Sequence, residues 1–281
     1  MSIGCAVAAK HQKGTTHMGE GHFRLEQHGH IVTITHDRGE KSNALTPASL
    51  LQLKAMAESL ADNPEARAVI IRAEGKHFGA GMDIDGIGGG GHAATPAVQQ
   101  RRSAETGGRL LRAIREIHQP TICVIQGVAT GGSACIATAC DFRIGSPESR
   151  IGYGEVRLGI NLMWHALPLA IQTVGLARAK RMVMTGALFD AQTMLDWGFF
   201  DNVVAVDDRD AAALRMAAEL AALPPIAVQM IKQSANAYAG ALDQAVMHAD
   251  VDQWLFGTRT EDFGEGVRSF FEKRPPTFWG N

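Results

Sequence analysis

One stretch limits what this chain can fold into more than any other: residues 120–141, PTICVIQGVATGGSACIATACD. Its first part, TICVI at 121–125, is apolar and β-branched and predicts a buried strand. Gly127 then marks a turn, and Gly131-Gly132 opens into small residues at helical density, SACIATA at 133–139. The stretch predicts a strand that turns through glycine into a buried helix. The amides at a helix start lack intrahelical partners and sit at the positive end of the dipole. An oxygen that gains negative charge during a reaction can be held there. Taken alone, the stretch also reads as packing, because glycine lets a helix lie close on a strand.

The rest of the composition is that of an ordinary globular protein. With 281 residues, 46% hydrophobic and 20% charged, the chain can bury a substantial core in one large domain or two. A formal net charge of −2 gives no general attraction to nucleic acid or to an anionic membrane. Cys5, Cys123, Cys135 and Cys140 lack zinc-site spacing and read as reduced thiols of a cytoplasmic protein. No apolar run is long enough to cross a bilayer. Residues 1–20 lack the basic start and apolar run of a secretory signal and are expected to be a disordered leader, or partly artificial in origin.

Along the chain, FRLEQ at 23–27 and HIVTITH at 30–36 alternate like a hairpin that turns near Gly29. Thr46-Pro47 predicts an N-cap followed by proline at the first helical position. Leu50, Leu53, Met56 and Leu60 supply that helix with an apolar face, and Asn63-Pro64 ends it. AVIIR at 68–72 predicts another buried strand, again with a glycine turn and a helix expected after it. A glycine-rich run at 86–91 lacks the Gly-Lys-Ser/Thr ending of a phosphate loop and reads as a flexible loop over a site, with a plain linker as the alternative. Residues 97–118 predict a helix interrupted at Gly107-Gly108. Short strands at 141–145 and 150–153 precede helices near 163–174, 176–185 and 190–197, and a last strand falls near 202–206. From about residue 208 only helices are expected, near 208–222, 225–239, 240–256 and 260–271, so the chain reads as an α/β core over 21–207 followed by a helical region over 208–281.

Few side chains stand out chemically. Glu155 sits between Gly154 and Gly159 in an apolar neighbourhood, where desolvation raises a carboxyl pKa toward a useful acid/base value. His165 is a weaker candidate base, Asp83 and Asp141 read as caps or loop residues, and Cys135 as an inert core thiol. Arg101-Arg102 reads as a solvated helix face.

Four segments, in order over most of the chain, carry a resemblance to the crotonase superfamily, the enoyl-CoA hydratase/isomerase group. They are TITHDRGEKSNALT at 33–46, HFGAGMDI at 77–84, QGVATGGS at 126–133 with ACDF at 139–142, and FGEGVRSFFEKR at 263–274. The resemblance implies an α/β fold, a spiral of ββα units closed by a C-terminal helical region that builds trimers or dimers of trimers. It implies an acyl-CoA substrate, with no metal and no separate cofactor, whose thioester oxygen lies between the amides of Met82 and Gly132. His77, Phe78 and Ala80 would line the coenzyme A side, and Lys273 would lie near the nucleotide, in its own or a neighbouring subunit. Of the two glutamates used by family hydratases, the second matches Glu155 and the first matches Cys135.

That departure bears on the reaction. Hydration shares the positioning of water and delivery of a proton between two carboxylates, and a thiol is a weak hydrogen-bond partner. Moving a double bond through an enolate needs only one base. The sequence therefore predicts a single-glutamate isomerase, lyase or hydratase; the alternative is a catalytically poor acyl-CoA-binding or scaffold protein on the same fold.

Overall fold

The computed structural model describes residues 15–17, 21–83 and 95–281. The glycine run at 86–91, Ile84, Cys5 and most of the 1–20 leader lie outside the described residues. The strands are β1 (Thr15–His17), β2 (Phe23–His28), β3 (Ile31–His36), β4 (Ala68–Ala73), β5 (Thr121–Val124), β6 (Val128–Thr130), β7 (Phe142–Gly145), β8 (Arg150–Gly152), β9 (Phe189–Asp190) and β10 (Asn202–Val203). One sheet runs in the order β1-β2-β3-β4-β5-β7-β10, and a second holds β6, β8 and β9. β2 and β3 form the expected antiparallel hairpin, with Gly29 at φ +58° in the turn. From β3 onward the large sheet is parallel. β1, inside the expected leader, adds an antiparallel edge strand.

The large sheet is covered on both faces, which is why β4 and β5 read as continuous apolar runs. Val69, Ile71 and Cys123 face the main core beside α1 (Pro47–Ser59) and α2 (Ala97–Glu116). Their neighbours Ala68, Ile70, Ile122 and Val124 face Ala212, Ala213, Ala217 and Ala221 of α7 (Arg209–Ala221). Those alanines let the helix approach the sheet closely. At the start of α1, Thr46 Oγ1 accepts the Ser49 amide at 3.0 Å and Ser49 Oγ accepts the Thr46 amide at 3.2 Å. This reciprocal cap, with Pro47 at the first helical position, realises the expected helix start.

Beyond β1, which stands where a disordered leader was expected, two expectations about the core need correction. No helix follows β4 in residues 74–83; the backbone there bonds to residues 36, 42–45 and 126–130 instead of to itself. Nor does Gly107-Gly108 interrupt α2. The helix is continuous there because the rings of Trp164 and His165 occupy the space that side chains at 107 and 108 would need.

The remaining helices are α3 (Gly132–Ala139), α4 (Ala166–Val174), α5 (Leu176–Thr185), α6 (Ala191–Asp196), α8 (Pro225–Ala239), α9 (Gln244–Met247), α10 (Asp250–Gly257) and α11 (Glu261–Glu272). The single helix expected over 240–256 is two. Buried Lys232 fastens α8 to the core, its Nζ 2.7 Å from Asp141 and 2.9 Å from the Gln119 carbonyl. Asp141 also accepts the Thr121 amide at 2.7 Å, so one carboxylate joins β5 to the C-terminal helices.

Candidate active site

Two backbone segments meet where the small sheet begins. Gly127, at φ +52°, bends the chain out of β5; any side chain there would strike Lys76 and His77. β6 then runs alongside residues 77–80, with Gly79 donating to Val128 O at 3.0 Å and accepting from Thr130 at 3.1 Å. One residue pair further on, Gly81 (φ +85°) lies against Gly131 and Gly132, and an ideal Cβ on it would stand 3.6 Å from the Gly132 nitrogen. The Gly81 amide is fixed by Ser133 Oγ at 3.2 Å.

This arrangement leaves two amides uncommitted. Leu45 bonds to Gly81 O and receives the Asp83 amide, so in that parallel bridge the N–H of Met82, between them, points away from Leu45. Gly132 is the first residue of α3, whose opening turn is closed by the Cys135 amide donating to Gly131 O at 3.0 Å. Among the described residues, neither Met82 nor Gly132 donates a backbone hydrogen bond. The two amides expected as donors therefore lie on neighbouring backbone segments, Met82 beyond β4 and Gly132 at the start of α3.

Glu155 opens a 3₁₀ turn, Glu155–Leu158, and its Oε1 lies beside Gly131, 3.4 Å from an ideal Cβ there. Its Oε2 is sealed from solvent with no hydrogen-bond partner, and burial raises the carboxyl to about 7. α11 holds the turn from behind: Gly266 presses on the Leu158 backbone, and Gly159 (φ +74°) on that of Asp262. Cys135, one turn into α3, is fully buried, and burial followed by the nearby Glu155 and Asp250 charges pushes its thiol well up. It stays protonated and cannot serve as a second base. Tyr153 packs near both, its hydroxyl 2.7 Å from Thr138 Oγ1.

The other expected residues fall around this centre with structural ties. His77 Nδ1 accepts the Val128 amide at 3.1 Å, buried Phe78 donates its amide to Gln126 O, and exposed Ala80 donates to Ser42 O. Lys273 is exposed in a left-handed conformation at the end of α11, the helix that backs the Glu155 turn. Asp83 pairs with Arg38 at 2.8 Å, and Arg101 with Asp252 at 2.7 Å. His165 spends its backbone amide on Asp250, and burial, then Arg112, lowers its imidazole pKa.

Sequence reasoning missed Trp164 and Asp250. Trp164 (φ +67°) and His165 (φ +62°) are consecutive left-handed residues, each costing on the order of 1–3 kcal/mol for a non-glycine side chain. Asp250 Oδ2 accepts the His165 amide at 2.9 Å, with the Trp164 amide also facing it. The buried indole presses on Gly107 and Gly132. No local signal marks a tryptophan for this conformation; its cause lies 85 residues downstream, in the C-terminal helices.

A mixed fold of strands and helices closed by C-terminal helices is the architecture the family resemblance implies. The family model for enoyl-CoA hydratase/isomerase matches residues 26–281, and the chain belongs to that family. It is 29% identical over 259 residues to a short-chain-enoyl-CoA hydratase of Clostridium acetobutylicum, covering 89% of this chain and 94% of the relative. A crotonyl-CoA hydratase of Syntrophomonas wolfei is 27% identical over 255 residues, covering 90% and 96%. Among solved structures, an enoyl-CoA hydratase from Mycobacterium avium subsp. paratuberculosis superposes with a TM-score of 0.82 at 25% identity, covering 92% of this chain and 98% of that one.

Proposed function

We propose that this protein is an enzyme that moves a proton on coenzyme A thioesters of unsaturated acyl groups, with Glu155 as its single acid/base. The observation that carries this reading is the half-buried Glu155, whose carboxyl has Oε2 sealed from solvent and unpartnered, is raised to about 7 and is set beside the Gly131-Gly132 helix start. The thioester oxygen would lie between the Met82 and Gly132 amides. Ionised Glu155 takes a proton from the α-carbon, the resulting dienolate is held by the two amides, and the carboxylic acid returns the proton at the γ-carbon. The double bond moves, and enzyme and proton count are restored. The enoyl-CoA hydratases named above support the substrate class. A protonated, buried thiol at Cys135 favours double-bond migration over hydration.

The test follows crotonyl-CoA hydration and 3-enoyl-CoA to 2-enoyl-CoA conversion in the same preparation. Isomerisation should exceed hydration, and Cys135→Glu should raise hydration relative to isomerisation by restoring a second carboxylate. Overpacking there can cost about 1–3 kcal/mol, so a thermal melt must first show that the variant folds. Efficient hydration by the natural protein would overturn the single-glutamate reading.

The same reading includes a trimer or a dimer of trimers. α8 buries only Lys232 in the monomer while Ile226, Met230, Ile231 and Tyr238 on it stay exposed, as do Leu242 and Phe256 beyond it. So much apolar surface on one region is the mark of a subunit interface. Light scattering at micromolar concentration should report a trimer or a hexamer; a monomer would refute this.

A further inference from the structure

The left-handed turn at Trp164 and His165 is unexplained by the proton chemistry, and its position gives it a task. The Cη2 and Cζ3 end of the indole stands where a side chain on Gly132 would be, with Leu45 Cδ1 3.3 Å from that same point. The other side of the ring system fills the space above Gly107, and the His165 imidazole lies on Gly108. Trp164 thus bridges α2 and the start of α3, directly behind one of the two amides that would hold the thioester oxygen. A bulky residue keeps positive φ only when its surroundings fix it there. The fixing contact comes from another part of the chain: Asp250, at the start of α10 and buried, accepts the His165 amide at 2.9 Å.

We propose that Trp164 is the specificity-determining wall of the acyl site and that Asp250 is its positioning residue, holding the Trp164-His165 turn so that the indole edge closes the space beside Gly132. This rests on the acyl-CoA reading above. It adds a substrate preference: with the indole in place the site favours short acyl groups, and removing either the ring or its clasp opens room for longer ones. A pocket enlarged by a few carbon atoms changes discrimination by about tenfold or more.

The experiment compares crotonyl-CoA with trans-2-octenoyl-CoA as substrates, and butyryl-CoA with octanoyl-CoA as unreactive ligands measured by calorimetry. Trp164→Phe, which removes the far ring, and Asp250→Leu, which removes the acceptor at similar volume, should each shift the long-to-short ratio of kcat/KM toward the long chain by about tenfold. The binding ratio should move with it. Asp250→Asn keeps an acceptor oxygen for the His165 amide and should hold the wild-type ratio. Combining Trp164→Phe with Asp250→Leu should add little to the larger single shift, because both act through one ring. A purely structural Asp250 would instead depress both substrates equally and leave the ratio unmoved. Folded single variants with unchanged ratios, or shifts that simply add, overturn the proposal while wild-type turnover keeps the acyl-CoA reading. A wild type that binds none of the four thioesters sinks both.

Discussion

Glu155→Gln should abolish nearly all turnover and at the same time make the protein more stable. The amide keeps the size of the carboxyl but takes no proton, so kcat should fall by about 10² to 10⁴, the usual cost of a lost general base. The stability gain follows from burial, which raises the carboxyl from 4.5 to about 7 with its Oε2 unpartnered. Between those values the native state holds a proton that the unfolded chain has released. Stability therefore declines as pH rises from about 4.5 to 7 and stays reduced above 7. The separation corresponds to at most about 3 kcal/mol, from about 1.4 kcal/mol per unit. The glutamine side chain carries no such dependence, although its own amide hydrogens are poorly partnered, so a net gain of about 1–2 kcal/mol is expected at pH 8 and none below about pH 4.5. Denaturant melts of both proteins at about pH 4 and about pH 8 measure this. The natural enzyme's kcat/KM for isomerisation should also rise with pH through about 7, as the base ionises. A Glu155→Gln variant that keeps its activity, or whose stability advantage is the same at both pH values, would remove Glu155 from its assigned role.

The parts of this centre that could be read from the sequence are those governed by local rules. The strand, the bend at Gly127 and the helix from Gly132 follow from apolar run, glycine and small residues within one short stretch, and the Thr46-Pro47 helix start is equally local. Glu155 was legible because flanking glycines and apolar neighbours announce a desolvated turn. What escaped were features decided by distant partners. Residues 74–83 carry a glycine pattern like that of 127–132, yet form no helix, because partners such as Leu45 and Val128 take up their backbone groups. Gly107-Gly108 looks like a helix break and is a landing place for two rings from residues 164 and 165. Period and propensity contain no term for such contacts; they describe a chain meeting solvent or an average core.

The proposed oxyanion donors call for a test that the structure itself reshapes. Gly132→Pro deletes one amide and should cost about two to three orders of magnitude in kcat. Proline suits the site in one respect, since residue 132 is the first of α3, where the missing N–H breaks no helical bond. However, any Cβ at 132 collides with the Cη2 and Cζ3 atoms of Trp164, so the single variant mixes donor loss with a clash. Trp164→Phe removes those two atoms. In that background Gly132→Ala adds the Cβ and keeps the N–H, while Gly132→Pro adds it and loses the N–H. The proline double variant should then turn over about 10² to 10³ more slowly than the alanine one, at similar helical content. The loss should appear mainly in kcat, because the donor matters most as charge builds on the oxygen and less in the ground state. The Met82 amide would remain, which is why the proline variant should keep residual activity above the uncatalysed rate. If the two double variants differ by only a few-fold, the Gly132 amide does not hold the enolate oxygen, and the carbonyl must be placed elsewhere along α3.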